Sequence, residues 1–322
     1  MEVGSFTAFL RSGRGEKTLD FPCWFGDNNP FKSNDFNVFW EPILRTIHSN
    51  AIIAVVKKMV MGANYDLGDD VIRAFEKGLK QEASPVGRAV LNTLIENARI
   101  AHDEQVPICQ DTGMAVFFVE MGQDVHIEGA LLQDAIDEGV RQGYKDGYLR
   151  KSICDPFTRK NTGDNTPAVV ILDVVAGDAL KITAAPKGGG SENMSRLTML
   201  APSAGKKGIV DFVVKRCEEA GSNPCPPVIV GVGIGGSAEK CMILAKKALL
   251  RHVGEPSPDP ELAALEAEML EKINALGMGP QGLGGTTYAL AVHVEKHPCH
   301  IASLPLAVNI CCHASRHKEA VL

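Results

Sequence analysis

The stretch Pro107-Ile-Cys-Gln-Asp-Thr-Gly-Met114 sets a cysteine and a carboxylate two residues apart, between a proline and a glycine that mark a loop. Cys109 can act as a soft metal ligand and Asp111 as a proton carrier, so the pair suits metal-assisted acid–base chemistry. Two more cysteines share that type of position. Cys225 lies in Asn223-Pro-Cys-Pro-Pro227, where prolines stiffen a loop just ahead of an apolar run; Cys312 follows an apolar run and precedes His313. Cys217 and Cys241 sit among apolar residues at helical spacing and read as core. Cys154, beside Asp155-Pro156, and Cys299, beside Pro298, fit either reading. One of the vicinal pair Cys311-Cys312 must pack rather than ligate. Spacing alone is a weak sign of ligation, because free cysteines usually pack.

Glycines mark two further loops. Lys187-Gly-Gly-Gly-Ser191 costs conformational entropy, so either its N–H groups cradle an anion or its backbone makes a strained turn. Gly231-Val-Gly-Ile-Gly-Gly236 fits the dinucleotide pattern G-x-G-x-x-G, but the acidic strand end needed about 20 residues later is missing, since that region reads Arg251-His-Val-Gly-Glu-Pro-Ser-Pro258. Close packing of a strand on a helix explains those glycines better. The polar stretch Asn161-Thr-Gly-Asp-Asn-Thr-Pro167 is a capped turn or a site wall. Taken alone, Arg150 reads as a solvated charge and His300, in His297-Pro-Cys-His-Ile301, as a structural histidine.

The elements that must hold these loops change character along the chain. Residues 1 to about 40 show no helical or strand periodicity and are expected to form a poorly ordered extension, with Cys23 a bystander. Helices are expected from about residue 43 to residue 100, one of them opening at Ser84-Pro85 with proline in the first helical position. Strands are expected at 114–119, 168–175, 179–184, 228–232, 286–294 and 301–310, with helices at 131–142, 210–220, 237–250 and 260–276. Gly177-Asp178 between two of those strands suggests a hairpin. Helices and strands mix without strict alternation, so the fold class is α+β: a helical N-terminal segment, then mixed strands and helices around a cleft.

The chain has 322 residues, long enough for a large core, and carries a net charge of −6 that disfavours nucleic acid or anionic membrane as partner. No apolar run reaches the roughly 20 residues of a membrane span. Nine cysteines, an odd number without a secretion signal, point to reduced thiols and a cytoplasmic location. No C-x-x-C pair occurs, so a metal site must gather cysteines from distant segments.

Together VPICQDTGMA (106–115), GYLRKS (147–152), RKNTGDNTPA (159–168), APKGGGSENMS (185–195), NPCPPVIVGVGIGG (223–236) and HIASLPLAVNICCHASRH (300–317) closely resemble the alpha subunit, or N-terminal catalytic domain, of class I fumarate hydratases. The resemblance extends to the L-tartrate dehydratase alpha subunit and covers roughly residues 45 to 322, so 41–322 is expected to be one catalytic domain. It implies a [4Fe-4S] cluster on Cys109, Cys225 and Cys312 with one iron open. The family usually has another residue, often glutamine, where Cys311 stands. The resemblance also implies substrate contacts from Gln110, Asp111, Arg150 and Gly190 and a site role for His300. The expected reaction is reversible hydration of fumarate to L-malate, with dehydration of L-tartrate to oxaloacetate as the alternative. Single-chain relatives continue into a second domain that supplies a threonine, arginines and a lysine. Because this chain ends at Leu322, a separate beta subunit is expected to complete the site, in a hetero-oligomer or a dimer of alpha subunits.

Overall fold

The structure, a computed structural model, describes residues 5–12, 15–22 and 44–322. Near the N-terminus, strands β1 (Ser5–Ser12) and β2 (Gly15–Pro22) pair antiparallel, in register from Ser5 with Pro22 to Ser12 with Gly15. Phe6, Ala8, Leu19 and Phe21 supply a short alternation that the Gly- and Ser-rich composition hides; the register sets Phe6 opposite Phe21 and Ala8 opposite Leu19. The rest of the expected extension, Cys23 included, lies outside the described residues.

Residues 44–322 form a second unit. It opens on a strand, β3 (Arg45–His48), where helix was expected, because Ile47 finds a parallel partner in Ile127. Three helices follow: α1 (Ser49–Tyr65), α2 (Asp69–Gln81) and α3 (Pro85–Glu104). Ser84 caps α3 by accepting the Gly87 N–H at 3.2 Å, and Pro85 fills the first turn, where its missing N–H costs nothing.

Strands β4 (Val116–Gly122) and β5 (Val125–Glu128), helix α4 (Leu132–Asp146) and strands β6 (Val169–Val175) and β7 (Leu180–Ala184) come next. After them lie the short helix α5 (Gly189–Glu192), strand β8 (Arg196–Leu200), helix α6 (Gly205–Ala220), strand β9 (Val228–Gly235), and helices α7 (Ala238–Ala248) and α8 (Pro260–Asn274). Strands β10 (Ala289–His297), β11 (Leu304–Cys311) and β12 (Lys318–Val321) end the chain.

The strands build two four-stranded sheets, ordered β12-β7-β4-β6 and β10-β9-β11-β8, and the fold is α+β as expected. The expected hairpin at Gly177-Asp178 does not form. β4 lies between its two strands, parallel to β6 and antiparallel to β7. Central β4 is buried over Val116–Val119, and pairing with it satisfies both neighbours' backbones, which a local turn signal cannot foresee.

Each sheet has its own core. On the first, α1 presents Ile52, Val56 and Val60, all fully buried, to Ile136, Val140 and Tyr144 of α4. Each such burial contributes about 1.5–3 kcal/mol. The helices touch at Gly139 and Gly143, where an added Cβ would lie 2.6 Å from the Val56 Cβ and 2.3 Å from the Val60 Cγ2. On the second sheet α6 and α8 cover β9, β10 and β11. The G-x-G-x-x-G stretch has the structural role expected of it: Gly231 and Gly233 lie within β9, and a Cβ on either would meet the Ala245 or Cys241 carbonyl of α7 at about 2 Å. No helix among the described residues is long and apolar enough to cross a membrane.

Candidate active site

Three loops at the ends of these elements meet. β9 and β11 run antiparallel with Ile229 opposite Cys311, so Cys225, just before β9, and Cys312, just after β11, reach the same edge of the sheet. The His313 backbone N–H and Nδ1 both face the Cys225 carbonyl, at 3.3 and 3.0 Å. Cys109 joins them from the loop between α3 and β4; with Cys312 it packs on Ala98, Ala101, Ile108 and Ala314. The three loop cysteines therefore come together, while Cys217 and Cys241 are fully buried in helices, where burial pushes both thiols up to about 12. Cys154 pairs its backbone with Asn161, and exposed Cys299 donates to the Ser303 carbonyl at 3.3 Å.

The Cys109 loop is held on every side. The Ile108 N–H binds the Asn64 carbonyl at 2.9 Å, and Asn97 donates to the Ile108 carbonyl at 2.8 Å. Buried Tyr144 donates to the carbonyls of Thr112 and Gly113 at 2.9 and 3.0 Å, and fully buried Asn165 donates to Gly113 at 3.2 Å. Thr112 binds the Arg150 carbonyl at 3.0 Å, which fixes the base of that exposed side chain beside the loop. A loop pinned at Ile108, Thr112 and Gly113 in this way keeps one geometry.

Asp111 is held through its carboxylate. Oδ1 accepts the Gly113 N–H at 3.0 Å and Oδ2 the Gly189 N–H at 2.8 Å, so each oxygen is oriented and keeps a lone pair. The Lys187–Gly190 glycines answer the question the sequence left open. Gly188 has φ −67°, an ordinary value, so no strained turn calls for glycine there. Space does: a Cβ on Gly188 would lie 3.2 Å from Asp111 Oδ2, and one on Gly190 3.3 Å from the Asn223 carbonyl beside Cys225. Gly113 is constrained twice, by φ 77° and by the Lys187 backbone 2.7 Å from its would-be Cβ.

Electrostatics hold two of the loop thiols protonated until a positive group answers them. Burial pushes the Cys225 thiol up, and so do the neighbouring Cys109 and Asp111. A hydrogen bond to Cys311, together with burial, holds the Cys312 thiol well above its ordinary value, while Arg316 and Lys187 pull the other way. Crowded thiols of this kind ionise only against positive charge. Cys225 also takes a left-handed φ of 54°, strain of the sort found where a ligand is held. Arg316 is 4% exposed, and its Nε and Nη1 have no hydrogen-bond partner. Three loop thiols, with a buried and only partly partnered cation next to Cys312 and Asp111, fit an iron–sulfur cluster. Among the described residues no group of three His, Cys, Asp or Glu side chains is placed to hold a single metal ion.

Of the other expected residues, Gln110 is exposed beside Cys109, whose Sγ lies 3.3 Å from its Oε1. His300 stands apart. It lies in the exposed turn before β11, with its Nδ1 accepting the Ala302 N–H at 3.1 Å, and the whole strand separates it from Cys312, roughly 23 Å at about 3.3 Å per residue. The sequence reading missed Tyr144, Asn165, Arg316 and buried Lys187, which binds Ser191 Oγ at 2.7 Å and Glu192 at 3.3 Å. Lys246 reaches the same carboxylate at 2.5 Å. Burial pushes Glu192 up, but the two lysines outweigh it and its carboxyl lies below the usual range. Only Lys187, adjoining the triple glycine, and Asn165, in the polar turn, carried any signal.

A fold with this cysteine-lined edge and its cradled carboxylate suits a hydro-lyase. The chain belongs to the fumarate hydratase (fumerase) family, which it matches over residues 53–321. It is 44% identical over 268 residues to a Methanocaldococcus jannaschii protein provisionally named L(+)-tartrate dehydratase subunit alpha, covering 81% of this chain and 94% of that one. The L(+)-tartrate dehydratase subunit alpha of Escherichia coli strain K12 is 34% identical over 271 residues, 83% of this chain and 89% of that one. The corresponding subunit of E. coli strain UTI89 is 35% identical over the same length.

Proposed function

We propose that this chain is the alpha subunit of an iron–sulfur hydro-lyase that removes water from, or adds it to, a four-carbon dicarboxylate. The observation that carries the reading is the Asp111 carboxylate, held by the Gly113 and Gly189 N–H groups next to Cys109. Cys109, Cys225 and Cys312 would hold a [4Fe-4S] cluster. When bound, it supplies Lewis acidity to the substrate's carboxylate and hydroxyl. Asp111 moves the proton: both oxygens are fixed by backbone donors, so the carboxylate meets the substrate without reorganising. Arg150, with its backbone tied to Thr112 and its guanidinium exposed, grips the far carboxylate through a bidentate fork. Gln110 and the N–H of Gly190 take the remaining substrate oxygens.

L(+)-tartrate is the favoured substrate, because the named relatives are tartrate dehydratase alpha subunits. Fumarate is the second reading, supported by the family match. The same names support a separate beta subunit as partner. Anaerobic co-purification with a candidate beta subunit, iron and sulfide counting, and turnover on L-tartrate and on fumarate test the reading. It expects oxaloacetate from tartrate only with both chains present, and activity that decays in air. Full activity from the alpha chain alone, or activity stable in air, would overturn it.

A further inference from the structure

A cleft of about 1020 Å³ opens between α2, the loop after α7 and the C-terminal segment. None of the residues proposed for catalysis or cluster binding lines it. Its volume suits a small-molecule site. Val71, Leu249, Val253 and Leu290 give it an apolar lining.

The charges around it are arranged unusually. Arg73 and Lys77, four residues apart on α2, are exposed on one helix face, a like-charged spacing that destabilises a helix unless something answers it. Neither forms an ion pair among the described residues. Asp69, one turn before Arg73 on the same face, also lines the cleft and forms no ion pair with it among the described residues, while Asp70 is 8% exposed, and its Oδ2 already accepts the Val253 N–H at 2.7 Å and lies 3.6 Å from His252 Nδ1. The His252 and His317 rings stand 5.9 Å apart at the same cleft, two ring edges able to donate to one anion. Arg251 lines it too, but its Nη2 is taken by Glu266 and the Val294 carbonyl and lies 3.7 Å from Glu295, and its Nε and Nη1 are buried. Lys318 also lines the cleft, with its Nζ 4.0 Å from Asp66 Oδ2.

We propose that this cleft binds a multivalent organic anion of metabolite size, either a phosphate ester or a polycarboxylate. Its charges sit on Arg73, Lys77 and the His252–His317 pair, and its apolar body on Leu249, Val253 and Leu290. The site is independent of the catalytic reading, since binding can be measured without turnover.

The test uses the full chain in complex with its beta subunit. ATP and citrate, one probe for each source of charge, are titrated calorimetrically at constant ionic strength. One of them should bind saturably to the wild type and at least tenfold more weakly to R73E/K77E, with basal turnover of the double variant unchanged. Both substituted residues are exposed, so the fold should tolerate the change, and K77A alone should give an intermediate loss. Saturable binding of neither probe, or binding that the double variant leaves intact, overturns the proposal. Failure of R73E/K77E to co-purify with the beta subunit also overturns it and makes this face a protein-docking surface.

Discussion

The Arg316 guanidinium donates to the backbone carbonyl of Asp111, joining residues 205 positions apart in the chain. The same guanidinium is buried with two unpartnered nitrogens. A buried cation without a counter-charge is costly, and the proposed cluster would supply the balancing negative charge.

That cost gives a prediction with two opposite readouts. Arg316→Met removes the buried charge and keeps much of the side-chain volume. Without cluster, the variant should melt at or above the wild-type temperature, since replacing a poorly compensated buried charge by an apolar group is often neutral or stabilising, by up to about 4 kcal/mol. Anaerobically purified variant should retain several-fold less iron and sulfide per chain. A variant that loses stability yet keeps its full iron would show that Arg316 serves the fold and not the cluster.

Gly113 and Gly177 separate conformation from space. Both have positive φ, 77° and 100°, but only Gly113 has a neighbour within reach of a Cβ. Gly177→Ala should cost about 1–2 kcal/mol, the left-handed penalty alone. Gly113→Ala adds about 1–3 kcal/mol of overpacking against the Lys187 backbone and should disturb the hydrogen bond from Gly189 to Asp111. Chemical denaturation of the two variants checks the difference. Equal losses would mean that the Lys187 loop simply moves aside.

What the sequence made legible follows from the range of the forces involved. Helices α3 and α8 announce themselves through a local side-chain cap with proline in the first turn, and α2 through its 3.6-residue period behind the acidic pair Asp69-Asp70. The buried state of Cys217 and Cys241 follows from their apolar neighbours. The position of Cys109, Cys225 and Cys312 at loop edges is equally local, set by nearby proline, glycine or strand end. Their meeting is not local, because it depends on the antiparallel register of β9 and β11, fixed by pairings across roughly 80 residues. For the same reason β4 could enter between β6 and β7 unannounced. Tyr144 and Arg316 were hidden because their role is to hydrogen-bond distant backbone, and nothing in residue type or spacing records that partner. His300 shows the converse: its motif is plain to read, but within this chain β11 carries it away from Asp111.

Asp111→Asn tests the proton carrier with little change in shape. The amide keeps one oxygen for one of the two glycine N–H groups and turns an NH₂ towards the other, so stability should fall by about 1–2 kcal/mol. Turnover of the complex should fall by about 10²–10⁴-fold, the usual contribution of a positioned acid or base, with iron content unchanged. Activity within tenfold of wild type would assign proton transfer to another group.

Glu82 ties the α2–α3 junction to the segment before β10 and gives the fold an acid-sensitive joint. It is 3% exposed and accepts the N–H groups of Ser84, Thr286 and Thr287 at 2.8–3.0 Å. Burial alone would push its carboxyl up, but these donors outweigh it and the folded value lies below the ordinary 4.5. A depressed folded value means that the unfolded chain binds the proton more readily, so stability falls as pH falls. The contribution of Glu82 is therefore complete above the ordinary glutamate value and is lost as pH drops through the lower folded one. Glu82→Gln should remove that part of the pH dependence. It should also cost about 1–3 kcal/mol at neutral pH, because the amide NH₂ would face backbone donors with nothing to offer them. Unfolding free energies of wild type and variant, measured from pH 7 down to pH 3, should converge towards the acid end. Parallel curves would show that Glu82 contributes through packing and not through its charge.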